Sequence, residues 1–124
     1  MPPQDHILIV DDNLPLANLY QIVFERSHWQ VERVASGQEA LDKLAVATPD
    51  VVLLDLMMPD MDGWEVYQQM KADEATRNIP VIVVTAKAQN IDKVLGLHIA
   101  KVDDYIAKPF GPQELLNSAE KILN

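Results

Sequence analysis

Cysteine is absent from the 124 residues, which excludes a disulfide framework, a thiol nucleophile and a thiolate-ligated zinc or iron–sulfur centre. Basic residues are scarce: Lys and Arg total 10 against 19 Asp and Glu, leaving a formal charge of −9. So acidic a surface is repelled by phosphate backbones, and no direct nucleic-acid contact is expected. Long apolar runs are missing too. The longest, Ile79 to Ala86, is far too short to cross a bilayer, and Met1-Pro2-Pro3-Gln4 lacks the basic start of a secretory leader. With 4 Gly and 8 Pro in a chain that is 48% hydrophobic and 23% charged, the composition is neither disordered nor fibrous. Residues 1–124 are expected to form one domain, cytoplasmic and without membrane contact, large enough to build a core without staples.

What is there alternates. His6-Ile7-Leu8-Ile9-Val10, Val51-Val52-Leu53-Leu54 and Pro80 to Val84 are near-continuous apolar runs, as expected of strands buried on both faces. Trp29 to Val34 reads as a weaker edge strand, and Tyr105-Ile106 as a short last one. Helical spacing falls between them. Asn13 is a candidate N-cap for a helix carrying Leu16, Leu19, Tyr20, Val23 and Phe24 inward. Ser36-Gly37-Gln38-Glu39 is a capping box before Ala40, Leu41, Leu44 and Ala45. Asp62 can cap a helix from Gly63 with Val66, Tyr67 and Met70 inward; Asn90 to Ile99 is a less regular helix; Leu115, Leu116, Ala119, Ile122 and Leu123 form a closing stripe. Five βα units with short connections predict an α/β fold: a doubly wound, five-stranded parallel sheet of flavodoxin-like order 2-1-3-4-5, with helices on both faces.

Ligands in such sheets bind beyond the carboxyl ends of the strands, at the switch between the first and third. That edge receives Asp11 and Asp12 after the first strand, Asp55 after the third, Thr85 after the fourth and Lys108 past the fifth. Three carboxylates brought together repel one another unless a cation offsets them. Oxygen donors without His or Cys select a hard cation, Mg²⁺ or Mn²⁺. A carboxylate beside such a metal is a competent nucleophile towards phosphorus, forming an acyl phosphate, with Lys108 and Thr85 placed to neutralise and hydrogen-bond the phosphoryl oxygens. His6, His28 and His98 have no ligand spacing and read as a strand start, a turn and a helix-surface residue.

Asp11-Asp12-Asn13, Leu54-Asp55-Leu56-Met57-Met58-Pro59-Asp60-Met61-Asp62-Gly63, Thr85-Ala86 and Asp103-Asp104-Tyr105-Ile106-Ala107-Lys108-Pro109-Phe110 together resemble the receiver domain of two-component response regulators, in order and over essentially the whole chain. The resemblance implies that Asp55 accepts a phosphoryl group from a phosphohistidine on a sensor histidine kinase or a histidine phosphotransfer protein. It implies Mg²⁺ held by Asp12 and Asp55 through their side chains, by Met57 through its carbonyl and by Asp11 through water. Lys108 would pair with the phosphoryl group, while Thr85 and Tyr105 would form the switch that a downstream protein target reads. Such a domain is no enzyme towards other substrates and catalyses only its own phosphorylation and dephosphorylation. Two departures stand out: Ala100-Lys101-Val102 where the family commonly has Gly-Ala before Asp-Asp-Tyr, and no Arg in Leu116-Asn117-Ser118-Ala119, which weighs against a DNA-binding dimer.

The competing reading is a receiver-like interaction module that acts without phosphorylation, for which the full acid, hydroxyl and ammonium set has no use. A phosphohydrolase of the haloacid dehalogenase type would carry Asp two residues after its nucleophile, where this chain has Met57. A flavin carrier would need a Ser/Thr/Gly-rich loop after the first strand, and Asp11-Asp12-Asn13 would repel its phosphate.

Overall fold

The computed structural model describes residues 5–55, 63–85, 104–107 and 111–123. Its strands are β1 (His6–Val10), β2 (Gln30–Val34), β3 (Val51–Asp55), β4 (Val81–Thr85) and β5 (Asp104–Ala107), and its helices α1 (Leu14–Arg26), α2 (Gly37–Val46), α3 (Gly63–Ala72) and α4 (Pro112–Leu123). All pairings are parallel, in the order β2-β1-β3-β4-β5. This is the doubly wound sheet that the alternation of apolar runs predicts, with the weakest run, β2, at an edge. The expected helix over Asn90 to Ile99, the Asp62 cap and the turn at Lys101 lie outside the described residues.

The period of two along each strand divides the core into two layers. Leu8, Val10, Val52, Leu54, Val81 and Val83 face Ala40, Leu44, Val66, Tyr67 and Met70 of α2 and α3. Ile7, Ile9, Val51, Leu53, Ile82 and Val84 face Ala17, Tyr20 and Phe24 of α1 and Leu115 and Ala119 of α4. Every residue of β3 is buried, as a central strand covered on both faces requires. Two inward assignments are corrected: Leu19 is 47% exposed and Ala45 is exposed, while Ala17 takes the buried place on α1. A helix laid on one face of a sheet is covered only where its stripe meets the strands, so the buried stripe is narrower than apolar spacing suggests. No described helix is long and apolar enough to cross a membrane.

Local chemistry sets the helix ends. Asn13 caps α1 by accepting from the Leu16 N–H at 3.2 Å. Ser36 accepts from the Glu39 N–H at 3.2 Å, but Glu39 reaches back to the N–H of Ala35 rather than of Ser36, so the box closes one residue early. At the other end of α1, His28 adopts φ 69°, its N–H bonding Glu25 and the Trp29 N–H bonding Phe24. That is the six-to-one and five-to-two pair of a Schellman stop, completed by the edge-on contact of Phe24 and Trp29 at 5.3 Å.

One charged cluster ties β1, β2 and α2. Glu32 meets Lys43 at 2.8 Å and His6 at 3.2 Å. The hydrogen bond from Lys43, followed by the charges of Lys43 and His6, holds the Glu32 carboxyl below its usual 4.5 against the opposing effect of burial. A lowered acid stabilises the fold above its unfolded value and loses that contribution as pH falls through the folded one. Glu32→Gln is therefore expected to cost up to about 1 kcal/mol at pH 7, since Glu32 is a third exposed and Lys43 half exposed. The cost should vanish in strong acid. Urea unfolding of both proteins at pH 7 and near pH 3 measures this; an equal difference at both would assign the effect to packing.

Candidate functional site

The site is assembled where β1 and β3 end. Asp55 is the last residue of β3 and only 4% exposed, anchored by Leu53 and Leu54 before it. Asp11 follows β1 directly and is 2% exposed; its N–H still bonds Val34 of β2 at 3.2 Å, so it continues the strand by one step. Its Oδ1 accepts from the Asn13 N–H at 2.8 Å, and Asn13 in turn opens α1. The turn that starts the helix is thus the same one that orients the carboxylate. Asp12, between them, is exposed at the rim.

Parallel register completes the assembly. Val10 lies opposite Leu54, so the two strands end level and deliver their acids to one spot. Asp11, Asp12 and Asp55 each offer a carboxylate oxygen, all within 4.8 Å of one another. Oxygens around one Mg²⁺ sit about 2.1 Å from the ion and thus up to about 4 Å apart. The donor type therefore suits a hard divalent cation, and the 4.8 Å spacing exceeds one ion's shell by less than about 1 Å, so a small inward shift of the carboxylates, with water completing the sphere, would close it.

The remaining residues expected here stand as follows. Thr85 ends β4, in register with Ala107 of β5, and Tyr105 lies within β5 opposite Val83. Those strand ends border the same edge of the sheet. Lys108 and Met57 lie outside the described residues.

By its spacing Tyr20 belongs to an apolar stripe, and the structure adds a polar side to it. It is 3% exposed on α1, packed with Ile9 and Leu53. Burial first, then the charges of Asp11 and Asp55, push its phenol well above the usual 10, so it stays a protonated donor throughout the physiological range. The signal was present in the sequence as a hydroxyl on an otherwise apolar stripe, but spacing alone does not say what it faces.

Residues 7–120 match the family model of the response regulator receiver domain. The alkaline phosphatase synthesis transcriptional regulatory protein PhoP of Bacillus subtilis is 40% identical over 117 residues, covering 94% of this chain and 48% of that protein. The chain thus spans about half the length of the full-length regulators it matches. Among solved structures, the signal receiver domain of a signal transduction histidine kinase from Syntrophus aciditrophicus superposes with TM-score 0.87 at 33% identity, covering 96% of this chain and 89% of that one. A chemotaxis response regulator of Vibrio cholerae superposes with TM-score 0.88 at 25% identity, covering 97% and 99%.

Proposed function

The chain belongs to the response regulator receiver family, and from that premise we propose that it is a phosphorylation-driven switch of a two-component phosphorelay, with Asp55 as the phosphoryl acceptor. The observation that carries the proposal is the meeting of Asp11, Asp12 and Asp55 at the level ends of β1 and β3, two of the three almost wholly buried. Buried carboxylates are costly to assemble and are retained where a cation and a phosphoryl group make use of them.

In this reading a carboxylate oxygen of Asp55 attacks phosphorus, the N–P bond of a partner's phosphohistidine breaks, and the electron pair leaves with the imidazole. An acyl phosphate results. Asp11, Asp12 and Asp55, with the Met57 carbonyl, would hold Mg²⁺, which supplies charge neutralisation to the incoming phosphoryl oxygens when bound. Lys108 would pair with the phosphoryl group, and Thr85 with Tyr105 would convey its presence to a downstream protein. The partner is a sensor histidine kinase or a histidine phosphotransfer protein, and the activity is confined to the domain's own phosphorylation and dephosphorylation. Incubation with a small phosphodonor and Mg²⁺, followed by intact-mass analysis, tests the proposal: one added phosphoryl group is expected, and none would defeat it.

The lifetime of the acyl phosphate follows from side-chain size. Met57, two residues past the acceptor, and Lys87, two past Thr85, are both long and bulky. Side chains of that size next to the acceptor and next to Thr85 would obstruct an in-line water, so hydrolysis should be slow. Met57→Asn is expected to speed phosphoryl loss severalfold, followed by mass after removal of the donor. A variant no faster than the wild type would remove this argument.

A further inference from the structure

Position 20 could be filled by any large apolar side chain, as position 24 is by Phe24, fully buried one turn later. A hydroxyl there must be desolvated, which is costly unless a partner receives it. Its direction is set by helix geometry. Side chains on an α-helix lean towards its N-terminus, over the preceding turn. The N-terminus of α1 lies at the edge of the sheet where the acids are gathered, because Asp11 and Asn13 lead into it.

The strand alternation points the acids the same way. Ile9 and Leu53 pack in the layer that holds Tyr20, and Asp11 and Asp55 follow each of them by two residues, hence on the α1 face. The phenol therefore rises from below towards the two buried acids of the three, Asp11 and Asp55. The electrostatics agree, since both charges act on it.

We infer that Tyr20 is a positioning residue of the carboxylate site: its hydroxyl is a buried neutral donor beneath Asp11 and Asp55 that offsets their charge when no cation is bound, and so lowers the affinity for one. Phenol and cation stabilise the same negative charge, so each diminishes what the other gains. The device keeps the acid pocket folded in its metal-free form and makes cation binding readily reversible. The inference rests on the reading of the pocket as a divalent-cation site.

The test is Tyr20→Phe in the full chain, which removes one oxygen and leaves the packed ring. Titration calorimetry with MgCl₂ should show binding tightened by about three- to tenfold, the range of a typical net hydrogen bond. The melting temperature in EDTA should fall, while that in saturating MgCl₂ should change little. A structural role alone would lower both equally and leave the Mg²⁺ affinity within about twofold, which overturns the inference. Pairing Tyr20→Phe with Asp55→Asn adds a second check: the loss in EDTA should shrink once Asp55 is neutral, and an undiminished loss counts against it. A wild-type chain that neither binds Mg²⁺ nor takes a phosphoryl group would defeat the reading of the site itself. A wild type that does both, with an unchanged Tyr20→Phe, defeats only the role given to Tyr20.

Discussion

Asp55→Asn and Asp55→Ala are expected to abolish phosphoryl uptake from a small donor, a fall on the order of 10³-fold or more, as loss of an attacking group brings elsewhere. The amide of Asn has the shape of the carboxylate without its charge or its nucleophilic oxygen, so the fold is kept while the chemistry goes. Asp55 is 4% exposed at the end of a strand whose every residue is buried, so a donor reaches it from the carboxyl edge of the sheet. Asp12 is the exposed acid of the three and the place where stray labelling would appear. Intact-mass analysis with and without Mg²⁺ reads the result. Full labelling of either variant would move the acceptor to another acid. A wild type that stays unlabelled would instead favour the interaction module that works without phosphorylation.

Mg²⁺ should stabilise the wild-type chain substantially, and removal of one acid should reverse the pattern. A ligand that binds the folded state alone adds about 2.7 kcal/mol at one hundred times its dissociation constant. Without it, three carboxylates within 4.8 Å of one another share a pocket in a chain of net charge −9, and they repel. Asp12→Ala relieves part of that repulsion and deletes a ligand. It should therefore raise the melting temperature in EDTA by about 2–6 °C and abolish the Mg²⁺ increment. Asp12 suits the experiment because it is exposed, so no cavity is left by its loss. Two melting curves per protein, one in EDTA and one in millimolar MgCl₂, decide it. Ordinary solvated acids would show neither shift. A lower melting point for Asp12→Ala in EDTA would mean that Asp12 holds the fold through hydrogen bonds, contrary to a cation cradle.

The order of elements and the edge that carries the chemistry were both legible from local pattern. Apolar runs of four or five residues, spaced by amphipathic segments and joined by short connections, admit few topologies, because parallel crossovers have one hand and sequential strands pair with near neighbours. Acids written directly after two such runs must then arrive at the carboxyl edge whatever the details. The capping residues Asn13 and Ser36 announced their helices for the same reason: the hydrogen bonds involved span only three residues. The family was legible too, in motifs that are short and ordered along the chain.

Tertiary structure alone decided the matters that depend on how elements lie against one another. Apolar spacing marks Leu19 and Ala45 as inward, yet both are exposed, because the angle at which a helix crosses a twisted sheet selects which part of its stripe is covered. That Asp11, Asp12 and Asp55 come within 4.8 Å depends on the register of β1 against β3, which no local pattern states. The same holds for Tyr20, whose phenol feels the charges of Asp11 and Asp55 only because α1 packs with its N-terminus at their edge of the sheet. Chemistry-bearing residues can be listed along a chain by type, but separations of a few ångströms between distant segments are set by packing, and electrostatics at a site is governed by those separations.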